Sequence, residues 1–183
     1  MVMKRFIAVF ISVFGFYISL FSQTSTEHFV FEDNGKDLMR MLPKGVENTL
    51  LAKGTGKVDL DYSKINWLQE IEVSVFQSLI DRGVFTAERM RELCNANERI
   101  FIWPYIDETG VVGYVRFTYR KEKGTLLTDE ELYAIYQALM GKKYDMSGVT
   151  VWEWDEVMGV RTKQLSSFYI SPSFFIPFRW LKF

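Results

Sequence analysis

A single cysteine, Cys94, and a single histidine, His28, stand in 183 residues. One cysteine leaves no internal disulfide, so stability must come from packing. Zinc sites built from His and Cys need more of both. Ser-His-Asp and Cys-His mechanisms need a held imidazole, and His28 falls near the chain start, where ends are loose. Cys94, in "RMRELCNANER", follows Met90 and Leu93 late on a short predicted helix and reads as a small buried apolar residue. No Walker loop and no G-x-G-x-x-G occurs; "KGTGK" is too short for a P-loop, and no cofactor is expected. An excess of one charge sign is missing too. The 22 Lys and Arg face 23 Asp and Glu, a net charge of −1. The basic residues are scattered among acids, so no nucleic-acid footprint is expected.

What the chain does have is apolar and aromatic: 48% hydrophobic and 16% aromatic residues. That composition supports a real core in one globular unit. The start, "MVMKRFIAVFISVFGFYISLFSQTS", sets Lys4 and Arg5 before an uncharged run from Phe6 to Phe21. This is the layout of a secretory signal over residues 1–22, with a cut near Ser22–Gln23. The alternative is an uncleaved anchor, which would be the chain's one membrane contact. A run of 16 residues falls just short of the ~17–25 that span a bilayer. No cysteine ends the run, which argues against a lipid-modified terminus. Cleavage would leave 20 basic against 23 acidic residues, a charge of −3. A periplasmic or secreted protein is expected.

Along the mature chain, "GKVDLDY" reads as a strand with Val58, Leu60 and Tyr62 on one face and Asp59 and Asp61 on a solvated one. Residues 64–82 carry a helical stripe of Leu68, Ile71, Val75 and Leu79, with Gly83 as C-cap. A shorter helix follows Thr86. "FIWPYIDETGVVGYVRFTYRK" reads as a hairpin turning at Asp107–Gly110. Its second strand sets Val111, Gly113, Val115, Phe117 and Tyr119 on one face. Val112, Tyr114, Arg116, Thr118 and Arg120 take the other. In "TLLTDEELYAIYQALMG", Thr128 and Glu131 are spaced as a capping box, and acids fill the first turn. Leu132, Ile135, Tyr136 and Leu139 form its stripe. "GVTVWEWDE" reads as a strand, and "FYISPSFFIPFRWLKF" as a β-rich tail interrupted by Pro172 and Pro177.

Carboxylate chemistry is one use of "WEWDE", since Glu153 and Asp155 share a face and a glycosidase pairs two carboxyls in an aromatic cleft. The plainer reading is an amphipathic strand with Trp152 and Trp154 in the core and the acids in water. In the tail, Phe174, Ile176, Phe178 and Trp180 share one parity, which suits a buried strand or one whose outer face meets a partner.

From residue 98 the order resembles the C-terminal domain of the TonB family, the periplasmic domains that grip outer-membrane transporters. "YIDETGVVGYVRFTY" resembles that family's hairpin, "LLTDEELYAIYQALM" its helix start, and "SFFIPFRWLKF" its final strand. The family's preceding Tyr-Pro and long Pro-rich spacer are absent, and the link over 142–167 is longer. The resemblance implies a periplasmic domain that binds protein or peptide, such as an envelope or outer-membrane protein, at a sheet edge.

The expected fold is α+β, an antiparallel sheet with helices on one face and a TonB C-terminal-like β-β-α-β order in the second half. Residues 1–22 form the signal, 23–97 a helical and mixed part, and 98–183 the α+β part, with the last two packed as one globular unit. The expected role is non-catalytic protein or peptide binding, with Trp152, Trp154, Tyr114, Arg116, Phe178 and Trp180 as candidate contacts and no metal. A small-ligand or glycan binder is the alternative, and a carboxylate hydrolase the third reading.

Overall fold

In the computed structural model, residues 25–65 and 67–183 are described, with backbone alone for 67–69 and 71. The signal segment, its cut and the side chains of Leu68 and Ile71 lie outside the described residues. Two antiparallel sheets and three α-helices make up the rest, an α+β fold. Strands β1 (Phe29–Asp33), β2 (Leu38–Pro43), β4 (Phe101–Asp107), β5 (Val112–Arg120) and β8 (Tyr169–Ile170) form the larger sheet in the order β1-β2-β5-β4-β8. Strands β3 (Lys57–Leu60), β6 (Val149–Asp155) and β7 (Val160–Gln164) form the smaller in the order β3-β6-β7. The helices are α1 (Trp67–Asp81), α2 (Ala87–Asn95) and α3 (Asp129–Leu139). Strand β2, from the first half of the chain, pairs directly with β5, from the second, through Met41 and Phe117.

Local chemistry explains where the helices start and stop. Thr128 accepts from the Glu131 N–H while the Glu131 carboxylate accepts from the Thr128 N–H, a complete capping box. Thr86 caps α2 through the Arg89 N–H. After α1, Gly83 takes a left-handed φ of +73°, and the Gly83 and Val84 N–H groups close onto Ile80 and Leu79 carbonyls. Val75 and Leu79 of α1 are fully buried, as are Ile135 and Leu139 of α3. Helix α3 packs on α1 and β5. The core under the helices joins Phe29, Met41, Ile102, Val115 and Phe117, with Phe29 and Phe117 edge to face at 5.5 Å.

A β-bulge alters one face of the hairpin. Tyr105 pairs with Tyr114, but Ile106 pairs with Val112, so Gly113 is skipped. Val115 and Phe117 point into the core as the alternation predicts. Beyond the bulge the parity flips, and Val112 enters the core in place of Gly113. A Cβ at Gly113 would stand 3.1 Å from a Leu50 methyl.

The tail is interrupted, as expected, but holds less strand than a β-rich tail would. After the two residues of β8, Phe174 makes a single antiparallel bridge to Ile102, and Phe178–Trp180 form a 3-10 turn. Pro172 and Pro177 supply no N–H to a ladder, which weakens pairing along the tail. The β4-β5-α3-β6 order is present along the chain, with β6 in the smaller sheet.

Candidate functional site

The hairpin turn fixes β4 against β5. The Asp107 carboxylate accepts from the Thr109 and Val111 N–H groups, at 2.9 and 3.0 Å, and from the Thr109 hydroxyl at 2.7 Å. Burial pushes its pKa up, but these bonds and the Lys53 charge outweigh burial and hold it below the usual range. Lys53 reaches 2.7 Å from Glu108 and 3.5 Å from Asp107, which ties the 3-10 turn at Thr49–Ala52 to the hairpin.

That turn drops Leu50 onto the sheet face opposite the helices, against Tyr105 and Tyr114. The two tyrosine rings meet edge to face at 5.5 Å, and Tyr105 stacks on Tyr169 at 5.4 Å. Burial pushes Tyr114 up to about 12. One row along, Arg116 faces Trp103 across the strands. Its guanidinium carbon sits 4.9 Å from the Trp103 ring centre and 5.6 Å from the Tyr105 ring centre. The Arg116 Nε and the Trp103 indole nitrogen are both buried donors with no hydrogen-bond acceptor. Each such donor costs about 1–3 kcal/mol when unmatched, and both atoms are covered, so an acceptor reaches them only if the Arg116 or Trp103 side chain moves. Trp103 and Arg116 remain half-buried. The arrangement can hold an acceptor and pack an apolar body. Sequence reasoning named Tyr114 and Arg116 but missed Trp103 and Tyr105; alternation along β4 places both on the same face as those two.

The remaining candidates stand elsewhere. Trp152 and Trp154 are half-buried on the outer face of the smaller sheet, not in the core. The reason is parity: Val149 and Val151 face the core, so even-numbered residues of β6 face outward. Lys57 lies 4.3 Å above the Trp154 ring, and Arg161 lies 5.7 Å from the Trp152 ring. Asp59 accepts from the Trp152 indole at 3.1 Å and pairs with Arg161 at 2.5 Å, so it is not a merely solvated acid. Asp155 caps the β6–β7 turn through the Val157 and Met158 N–H groups, and Glu153 is exposed. Phe178 packs against the core edge, while Trp180 is 49% exposed with Arg179 above its ring. An open cleft of about 480 Å³ runs along Ser173–Trp180 beside Glu72, whose carboxyl burial pushes up to about 7.

Two further expectations are corrected. Cys94 is exposed, because Met90 and Leu93 take the buried face of α2 and the next residue turns outward. His28 is held rather than loose. Its Nδ1 is 2.6 Å from the Asp129 carboxylate, its backbone N–H donates to the same oxygen, and its ring stacks on Tyr133 at 3.8 Å. The Thr26 hydroxyl donates to the other Asp129 oxygen. Burial raises the Asp129 pKa, but the bonds from Thr26 and His28 prevail and lower it. Among the described residues, no hydroxyl or thiol is hydrogen-bonded to His28 Nε2. Nor, among the described residues, does any group of three His, Cys, Asp or Glu side chains stand close enough to hold a metal, and no helix is long and apolar enough to cross a membrane.

No family model, curated protein or solved structure matches the chain.

Proposed function

We propose that the chain is an exported, non-catalytic binding domain that takes a segment of an envelope protein on the outer face of its larger sheet. Trp103 and Arg116 form the contact, on a floor of the buried Tyr105 and Tyr114. The observation that carries this reading is the Arg116 guanidinium laid over two aromatic rings on a half-open face. Aromatic and arginine side chains are the usual anchors of protein interfaces. Export rests on the pattern of residues 1–22, and the envelope partner on the resemblance of residues 98–183 to the TonB C-terminal domain. A glycan finds less at Trp152 and Trp154, since Arg161 and Lys57 occupy their ring faces. A carboxylate hydrolase finds less at β6, where Asp155 is spent on a turn.

The test is a cross-linked pull-down of the tagged full chain from the cell envelope, run beside Arg116→Gln with thermal melts matched. A dominant envelope protein captured by the wild type and lost by the variant supports the reading. Equal capture by both, or capture of nothing, overturns it.

A further inference from the structure

Where β4 begins and β5 ends, a cleft of about 470 Å³ opens between the α2–β4 connection, the loop after β5 and the tail. Each wall has a local cause. Asn97 takes a left-handed φ of +53° and the Glu98 N–H closes on the Leu93 carbonyl, which turns the chain so that Arg99 and Phe101 enter the cleft. At the end of β5, the Lys123 and Gly124 N–H groups both close on the Arg120 carbonyl, a tight turn that sets Arg120 and Lys123 on one rim. The Phe174 bridge to Ile102 brings Phe175 beside Phe101, with ring centres 4.2 Å apart.

The charge in the cleft is lopsided. Arg99, Arg120 and Lys123 line it, and Glu98 is the one acid among the lining residues. Glu98 is only 8% exposed, and its oxygens accept from the Thr125 hydroxyl at 3.0 Å and the Leu126 N–H at 2.9 Å. Its charge is turned into the loop. Glu122 approaches Arg120 only at 3.7 Å, with both side chains largely in water, a contact worth little. The cleft therefore offers cationic heads to a ligand, with a phenyl pair beside them whose Phe175 member is 40% exposed. Its volume lies within the roughly 300–1,000 Å³ of small-molecule sites.

We propose that this cleft binds a small aromatic anion, a flat ring carrying a phosphate or carboxylate. The ring packs on Phe101 and Phe175, and the anionic group meets Arg99, Arg120 and Lys123. A bare anion lacks the ring contact, and a neutral aromatic lacks the charge, so each binds less well than the two joined. The site stands apart from the sheet-face contact at Arg116, although Phe101 neighbours Trp103 at 6.3 Å.

The experiment is calorimetric titration of the purified full chain with phenyl phosphate, phenylacetate, inorganic phosphate and benzyl alcohol. Phenyl phosphate or phenylacetate is expected to bind at least about tenfold more tightly than inorganic phosphate or benzyl alcohol. The double substitution Arg120→Gln, Lys123→Gln removes two exposed heads, and melting curves check that the fold is kept. It is expected to weaken the aromatic anions by about tenfold or more, while Lys163→Gln, on the exposed β7, leaves them unchanged. The proposal is overturned if neither aromatic anion binds at about millimolar concentration, if inorganic phosphate binds as well as phenyl phosphate, or if the double variant binds as the wild type does.

Discussion

Replacing Gly110 by alanine separates backbone strain from steric collision. Gly110 ends the hairpin turn with φ at +87°, and a Cβ there would stand 1.9 Å from the Tyr144 carbonyl oxygen. The left-handed backbone alone costs an L-residue about 1–2 kcal/mol. Relieving the collision means moving Tyr144, whose N–H donates to the Gly110 carbonyl at 2.9 Å. Losing that bond adds about 1 kcal/mol, and displaced packing adds to it, for a total of about 2–4 kcal/mol. Gly124 is the control. Its φ is +64° but nothing stands within 4 Å of a Cβ, so Gly124→Ala should cost only the backbone share, about 1 kcal/mol. Urea unfolding followed by tryptophan fluorescence reads both. With a slope of about 2 kcal/mol per molar, Gly110→Ala should lower the midpoint by about 1–2 M and Gly124→Ala by about 0.5 M. Equal midpoints for the two variants would refute the steric argument.

Phe117→Ala empties the centre of the core, since Phe117 is fully buried against Phe29; a loss of about 3–5 kcal/mol is expected in the same unfolding assay. The lowered pKa values of Asp107 and Asp129 favour the folded state above the unfolded carboxylate pKa of about 3.9. That stability should be lost as pH falls below about 4, and Asp129→Asn should blunt the loss in a pH series of melts while costing about 1–3 kcal/mol at neutral pH. Glu72 runs the other way: its folded carboxyl is raised from 4.5 to about 7, so the folded state holds a proton that the unfolded state has released between those values. Stability from this group falls as pH rises through that window. Glu72→Gln should therefore raise the unfolding free energy at pH 8 more than at pH 5, by about 1 kcal/mol once solvent screening is allowed for.

Features written within a few residues were legible in the sequence. The capping box at Thr128 and Glu131, the Thr86 cap and the turn at Asp107–Gly110 each need only local hydrogen bonds, and each formed. What depended on distant partners was not. Nothing near Met41 says that it meets Phe117, and nothing near Val58 says that it meets Val151. Once β6 joined β3, parity sent Trp152 and Trp154 outward. A helix 101 residues away turned His28 from a loose residue into a fixed one. Of the site, Arg116 and Tyr114 were visible because the alternation of β5 is regular from Tyr114 onward. Trp103 and Tyr105 were obscured by Pro104 between them.

The position of β5 between β4 and β2 bears on how the chain assembles. The β4–β5 pairing closes a short loop, whereas the pairing of Met41 with Phe117 must bring together segments with both α1 and α2 between them. Chain entropy makes that second closure the slower one. During synthesis the β1–β2 hairpin must wait, with its apolar residues uncovered, until β5 has emerged. Over that interval the hairpin is exposed to mispairing with another copy, and a companion that shields it would raise the yield of folded protein more than one acting on α3.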